Sequence, residues 1–527
     1  GSRVLAPFFG GSIFVWGSLI GIFLGAMSGG YWLGGWLSER WPQPALLNTL
    51  LAAAGAYTAL LPLWAGPLCR ALAGGPGALV DLGPRLGPLT ASLVLFALPS
   101  VLMGVASPFA VRLLAQDLAR VGAVAGRLAA VGTLGSIVGT LATAFWLIPA
   151  LGVSTILTAI GVLLMAAAFV TLPFGRRSGT ILGVGVAVVG LRLLVAPPLL
   201  LEQPSRGLYV VVEARDSAYA SMMVVDHLLP GPDGREVPVA RQLRFDDHIQ
   251  GAIFVHPWQR RGVEHCSAAP YTDLFHLVHL FVPRIERVLF IGGGVGVGPR
   301  SFLRHYPEVR IDLVEIDPVV IDLARTHFDL AGGDRLSVHV ADGRAFLRRR
   351  PEARWDAIIV DAFTPGGRLP FHLMTREFVE LMRARLAPGG VVLTNLPSAL
   401  TGPNADILRA EHATFGEVFG GLYVFPMVDP RERDVGSDEW WGRKRNVFLA
   451  ATDVGMVDRD MLLSRAEELW GDLGRAPHTR VDTELFHLAY HAGNLIERES
   501  LPGDEEFLAA RALTDDYAPV DVLAAGG

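Results

Sequence analysis

Four short stretches carry residue types that can do chemistry together. "GGGVGVG" runs from Gly292 to Gly298, after the apolar "RVLFI" and before "PRSFLRHY". That pattern reads as a strand passing into a helix. The glycines let the backbone come close to a ligand, and the helix N-terminus attracts negative charge. The next apolar run ends in "EID", which places Glu315 21 residues beyond Gly294. This is the usual distance for an acid that grips ribose hydroxyls. A third run, "LSVHV", ends in "ADG", where the Asp342 carboxylate is suited to accept from an adenine amine. A fourth, "WDAIIV", ends in "DAFTPGG", where Asp361 can take a proton from an attacking nucleophile. One glycine loop is a weak signal. Four consecutive strand ends bearing glycine or acid weigh more against the alternative, a set of solvated carboxylates. Asp317, just before Pro318, reads only as a helix cap.

The elements that must position these residues alternate strand and helix from Arg284 onward. The strands are "RVLFIG", "VRIDLVEID", "LSVHVAD", "WDAIIVDA" and "GGVVLTNL". Helical stretches at 298–306, 318–327, 343–349 and 375–386 lie between them, with "LAPGG" as a glycine stop. A helix around 405–417 and the strands "GLYVFPMV" and "RNVFLAAT" follow, the last two read as a hairpin. This predicts a seven-stranded doubly wound α/β sheet, with ligands beyond the strands' carboxyl ends. Upstream, "LYVVVEARDS", "YASMMVVD" and "VARQLRFDDHIQGAIFV" form a small β-region, with "LPGPDG" as a hairpin turn. "EQPSRG" (202–207) reads as a linker.

Charge separates this part from the rest. Residues 1–201 hold ten arginines and three acids, net +7, so residues 202–527 carry the balance, net −13 of a total of −6. The acidic part argues against nucleic acid as a partner. Lys444 is the single lysine, and the two cysteines, Cys69 and Cys266, give neither a disulfide framework nor metal spacing. The opening "GS" reads as an expression scar.

Six apolar runs in the first part are long enough to cross a bilayer: 8–37, 44–65, 88–115, 122–149, 152–173 and 179–201. "GTLGSIVGT" carries small residues at helix-packing spacing. The breaks after the first, third and fifth runs are rich in arginine. By the positive-inside rule six true spans would put the acidic part outside the cell, against the supply of a cytosolic nucleoside, whereas a sixth run lying along the interface removes the conflict, so the side stays open. Arg192 weakens the sixth run as a span. The expected division is 1–201 membrane helices, 202–283 linker and β-region, 284–455 Rossmann-like nucleoside-binding domain, and 456–527 helical tail. The expected place is the cell inner membrane, multi-pass, with lipid as a partner. No acid falls in mid-span, so a cation pathway has little support.

"VLFIGGG", "LVEIDPVVIDLAR", "ADGRAFL", "WDAIIVDAF" and "LAPGGVV" resemble the spermidine synthase family of aminopropyltransferases, over about 210–450. "FDDHIQ" stands where the family has "LDGxxQ", and "YTDLFHL" where it has "YHEMLAH". The whole is similar to bacterial proteins that fuse a multi-span domain to such an enzyme. The resemblance implies a methyltransferase-like fold. It implies that Gln250, Tyr271, Gly292, Gly293, Gly294, Glu315, Asp342 and Gly343 hold decarboxylated S-adenosylmethionine, or S-adenosylmethionine itself. It further implies that Asp361 orients or deprotonates an amine substrate, and it leaves room for a homodimer.

Several positions depart from the family pattern. Val295 stands where the family loop has an aspartate for the aminopropyl ammonium. Thr364 replaces a second aspartate that helps bind the acceptor, Thr272 a histidine, and Ala220, beside Tyr219, a glutamine. Tyr219, Asp273, Thr364, Asp515 and Tyr517 are the weaker substrate-site candidates. Three readings stay open: an aminopropyltransferase with an altered acceptor site, an enzyme acting on S-adenosylmethionine itself, and a transporter or sensor with a non-catalytic nucleoside domain. "HLAYH" (His487, His491) has metal-like spacing but no complete motif, so no metal is expected. His276 and His279 read as interior residues. "EWWGRKR" reads as a loop or an interfacial patch.

Overall fold

The computed structural model describes residues 1–9, 13–72, 79–80, 82–115, 121–151, 153–170, 185, 200–203, 207–217, 219–231, 233–245, 248–255, 267–282, 284–364, 367, 369–428, 432, 434–454, 457–473, 494–496, 509–516, 518 and 520. The chain divides into two compact units: Gly1–Leu199 with Arg215–Met222, and Leu200–Ala214 with Met223–Gly527.

The first unit is helical: α1 (Ser2–Phe9), α2 (Ile13–Arg40), α3 (Pro44–Leu72), α4 (Gly83–Gly104), α5 (Ala106–Leu114), α6 (Val121–Ala142), α7 (Ile148–Leu151) and α8 (Val153–Val170), with a π-turn at Thr143–Leu147. Among the described residues, four helical stretches are long and apolar enough to cross a membrane: Phe14–Arg40, Pro44–Leu72, Arg85–Leu114 and Val121–Leu147; Val153–Phe169 is shorter. Glycines set the closest helix approaches. A β-carbon on Gly30 would lie 2.4 Å from the Val101 carbonyl oxygen, and one on Gly161 would lie 2.4 Å from that of Gly55. "GTLGSIVGT" behaves otherwise. Gly132, Gly135 and Gly139 of α6 meet nothing within 4 Å, so the small residues that join helices are on α2, α3, α4 and α8. The run at 179–201 lies outside the described residues except for Gly185 and its last two residues, which are strand.

The second unit begins with a five-stranded sheet in order β1 (Leu200–Gln203), β2 (Gly207–Asp216), β3 (Ser221–Pro230), β4 (Glu236–Phe245) and β5 (His248–Phe254). Two expectations change here. The first two residues of the expected linker, Glu202 and Gln203, belong to β1, which pairs antiparallel with β2 from Gln203↔Gly207 to Leu200↔Val210. "VARQLRFDDHIQGAIFV" is two strands, not one. The two pair antiparallel, with Phe245 opposite His248. The "LPGPDG" turn forms as expected. The Gly231 N–H donates to the Arg235 carbonyl at 2.7 Å, and Gly234 has φ 76°.

The larger sheet has seven strands: β6 (Arg287–Ile291), β7 (Arg310–Glu315), β8 (Leu336–Val340), β9 (Trp355–Val360), β10 (Leu386–Ser398), β11 (Gly421–Pro426) and β12 (Arg445–Thr452). Their order is β11-β12-β10-β9-β6-β7-β8. Strands β6 to β10 are parallel and β12 pairs antiparallel with both β10 and β11. This is the Rossmann-like, methyltransferase-type sheet. The central strands are apolar without interruption because both faces are covered: Val288 to Ile291 and Ala357 to Val360 are all 2% exposed or less. Alternate residues serve opposite layers. Leu289, Ile291, Ile358 and Val360 enter one core; Val288, Phe290, Ala357 and Ile359 enter the other. The first strand, β6, lies between β7 and β9, so the strand order reverses between β6 and β9. Crevices open at such switch points.

Candidate active site

The glycine loop sits at that switch point. Beyond β6 the chain takes φ 93° at Gly292, 46° at Gly294 and 74° at Gly296, the left-handed region that glycine enters without a β-carbon clash. Gly292 is further constrained by a close approach: a β-carbon there would stand 2.2 Å from the Asp361 carbonyl oxygen. Gly296 then caps α10 (Val297–His305), following α9 (Val278–Phe281) in chain order. The loop and the end of β9 are thus pressed together, and Asp361 emerges next to the glycines.

Glu315 ends β7 and accepts two backbone N–H groups, from Gly293 at 2.9 Å and Asp317 at 3.0 Å. Burial raises its pKa, and those two donors oppose the rise. The carboxylate therefore fixes the glycine loop as well as standing at the crevice rim. Asp317 caps α11 (Pro318–His327), as its position before Pro318 implies, accepting from the Val319 N–H at 2.9 Å. Asp342 caps α12 (Gly343–Arg348) through Ala345 N–H at 2.8 Å, and its other oxygen meets His372 Nε2 at 2.8 Å. Gly343 is a glycine for a local reason: a β-carbon would be 2.4 Å from Ile291 Cγ2.

Asp361 is held from two sides. Asn395 Nδ2, in β10, donates to Oδ1 at 2.8 Å, and the Tyr271 hydroxyl donates to Oδ2 at 3.4 Å. Burial pushes the Asp361 carboxyl up to about 6, while both donors pull it down. The Tyr271 phenol is raised well above its ordinary value by burial and by Asp361, so it stays a donor. The result is a carboxylate poised close to neutrality, where a general base works best.

Two cavities meet at these residues. A small one of about 20 Å³ lies over the loop, lined by Gln250, Tyr271, Gly292, Gly293, Gly294 and Asp361. A larger one of about 460 Å³ shares Gln250 and Tyr271 and extends along His248, Phe363, Asn395 and Ile407. Glu315, Asp342 and Gly343 line neither; they stand along the neighbouring strand ends. Val295 is 2% exposed, and a β-carbon on Gly251 would be 2.6 Å from its Cγ2, so the loop presents a methyl-bearing side chain there.

The weaker candidates scatter. Tyr219 is 46% exposed at the tip of the β2–β3 hairpin. Asp273 shares the short helix Pro270–Leu277 with Tyr271 but lines neither cavity. The same holds for Thr364, whose carbonyl accepts from the Gly367 N–H at 3.0 Å. Asp515 accepts from Arg344 Nη1 and Nη2 at 2.6 and 2.7 Å and from the Thr375 hydroxyl at 2.8 Å. It fastens the C-terminal segment beside α12, and Arg344 keeps its carboxyl below the usual range. Tyr517, His487 and His491 lie outside the described residues. His279 is interior, its pKa pushed down to about 3 by burial, and His276 meets Tyr306 and Ser301, each at 2.9 Å. Trp440 is 3% exposed with the Arg445 guanidinium 4.0 Å over its ring, which removes it from any interfacial patch.

Asn395 is the site residue the sequence reading missed. It sits within an apolar strand, where a lone amide at the strand's carboxyl end was the only signal.

The spermine/spermidine synthase domain model matches residues 269–419. A polyamine aminopropyltransferase of Vibrio vulnificus is 31% identical over 326 residues, 62% of this chain and 95% of the relative. A spermidine synthase of Coffea arabica is 41% identical over 158 residues, 29% of this chain; the chain spans about half of that relative (50%). A solved structure of a probable spermidine synthase from Corynebacterium glutamicum aligns with TM-score 0.42 and 20% identity, over 59% of this chain and 97% of that one. Since nearly the full length of the Vibrio enzyme is matched at that identity, the chain belongs to the spermidine synthase family.

Proposed function

We propose that the chain is a membrane-integrated aminopropyltransferase. It moves the aminopropyl group of decarboxylated S-adenosylmethionine to an amine. The observation that carries this reading is Asp361, held between Asn395 and Tyr271 beside the glycine loop with its carboxyl pushed up to about 6. The nucleoside lies along the strand ends. Glu315 holds its ribose, Asp342 and Gly343 face its base, and Gln250 and Gly292 to Gly294 flank the sulfonium. The uncharged amine nitrogen attacks the carbon next to sulfur. The C–N bond forms as the C–S bond breaks, and its electron pair stays on sulfur, which leaves as neutral methylthioadenosine. The surplus proton on nitrogen passes to the Asp361 carboxylate. Positioning supplies most of the rate, since the sulfonium is already a good leaving group.

In this reading the helical unit is a multi-pass anchor in the cell inner membrane. Its four long apolar helices support that, as do Trp36 and Trp41 flanking Arg40 at the end of α2, the aromatic and basic pattern of a membrane interface. The segment 284–455 carries the chemistry, and the tail at 456–527 contributes the Asp515 contact.

Val295 favours a second reading, in which intact S-adenosylmethionine is the donor, because the loop offers no carboxylate at that position for an aminopropyl ammonium. Incubating the purified full chain with each donor and an amine, followed by mass spectrometry, separates the two. Methylthioadenosine with an aminopropylated amine is expected from the decarboxylated donor. Adenosylhomocysteine from the intact donor would replace this reading with methyl transfer.

A further inference from the structure

Asp342 faces the crevice with a donor already beside it. Its Oδ1 accepts the Ala345 N–H at 2.8 Å and caps α12, and its Oδ2 meets His372 Nε2, also at 2.8 Å. An ionised carboxylate has no hydrogen to give, so the shared hydrogen is on the imidazole nitrogen. His372 is the middle residue of a one-turn 3-10 helix, Phe371–Leu373, whose Leu373 is buried in the core. The Leu373 N–H donates to the Pro370 carbonyl at 2.9 Å, and Arg344 Nη1 donates to the His372 carbonyl at 3.2 Å. These contacts fix the backbone and leave the two side chains partly open, His372 34% exposed and Asp342 32%. Phe371, 56% exposed, stands next to the imidazole with ring centroids 5.6 Å apart, an apolar surface of the kind a flat base covers.

The pair thus presents an acceptor and a donor side by side. Adenine displays the complement: an exocyclic amine that donates, flanked by the ring nitrogens N1 and N7, which accept. In duplex DNA one Asn or Gln amide reads the amine and N7 together with such an acceptor and donor. Here the two functions come from side chains 30 residues apart. We propose that His372 is a specificity-determining residue of the nucleoside site. The adenine amine donates to Asp342 Oδ2, which has a second lone pair free for it, and His372 Nε2–H turns from the carboxylate to the adjacent ring nitrogen. This rests on the nucleoside half of the aminopropyl-transfer reading, and needs only the adenosine moiety that either sulfonium donor carries.

Atom-by-atom changes in the ligand test this by equilibrium binding to the full chain, wild type and His372→Ala. The probes are methylthioadenosine, its 1-deaza and 7-deaza forms, each with one ring nitrogen replaced by C–H, and its 6-deamino form. One hydrogen bond is worth up to about tenfold in affinity. In the wild type one of the two deaza forms should bind about tenfold more weakly than methylthioadenosine, and so should the deamino form. In His372→Ala, methylthioadenosine itself should weaken by about tenfold. The deaza penalty should then shrink to within about twofold, while the deamino penalty, which belongs to Asp342, persists. Wild-type protein that binds both deaza forms as tightly as methylthioadenosine overturns the inference. So does a deaza penalty that survives in His372→Ala, the result given by a side chain that only props Asp342. If neither methylthioadenosine nor adenosylhomocysteine binds the wild type, the nucleoside reading fails and takes the inference with it.

Discussion

Replacing Asn395 by leucine should move the acid limb of the pH profile. In the native site Asn395 Nδ2 donates to Asp361 Oδ1 at 2.8 Å, and this bond favours the ionised carboxylate against burial. A hydrogen bond to a charged group contributes about 1.5–3 kcal/mol. At 1.36 kcal/mol per pH unit, its loss raises the carboxyl by about 1–2 units, from about 6 toward about 7–8. Leucine keeps the volume and supplies no donor. The assay is kcat/KM for methylthioadenosine release by the full chain from pH 5 to 9.5, taken as the ratio of variant to wild type. Deprotonation of the free amine affects both proteins alike and cancels. For a carboxyl moved to about 7.5, the variant should fall about eightfold below wild type at pH 6.5 and recover to within about twofold at pH 9. Tyr271→Phe should shift the limb in the same direction by less, because its bond is 3.4 Å long. A deficit equal at every pH, or a shift toward acid, would refute the reasoning that Asp361 works as a base tuned by Asn395.

Other outcomes follow from the packing around the site. Gly292→Ala forces a β-carbon to within 2.2 Å of the Asp361 carbonyl at φ 93°, and should cost more than about 3 kcal/mol in denaturant unfolding. Asp515→Asn removes the charge partner of Arg344, which is 8% exposed, while keeping an oxygen for Thr375. It should cost about 1–2 kcal/mol and expose the C-terminal segment to limited proteolysis, with nucleoside affinity changed less than about threefold. Asp361→Asn should stabilise the fold at pH 8. A buried acid whose pKa rises from 3.8 to about 6 favours folding less and less as pH increases across that window, and the neutral amide removes a penalty of up to about 3 kcal/mol. Thermal melts at pH 4 and pH 8 should show a gain at pH 8 and little at pH 4.

Strand–helix alternation made the larger sheet legible, because short apolar runs separated by helical stretches, most of them closed by glycine or acid, are the pattern of parallel strands covered on both faces. The helix 318–327 was recovered to the residue, since Asp317 and Pro318 mark its start chemically. The β4–β5 reversal was hidden because "FDDHIQ" carries no glycine or proline to mark a turn. Arg344 and Asp515 are 171 residues apart, and nothing in local sequence foretells a contact that only the C-terminal segment's path creates. His372 on Asp342 was invisible for the same reason. Val295 was visible as a departure, but its burial against Gly251 depends on the two sheets meeting there.

The central claim is that Asp361 takes the proton of an amine attacking a bound nucleoside sulfonium. The most direct test compares wild type and Asp361→Asn by two readouts on the same preparation: methylthioadenosine release from decarboxylated S-adenosylmethionine, and equilibrium binding of methylthioadenosine. Turnover should fall by about 10²–10⁴, the usual contribution of a positioned base, with binding within a few-fold of wild type. An Asn variant that turns over at the wild-type rate, or that loses nucleoside binding and turnover together, would contradict the account.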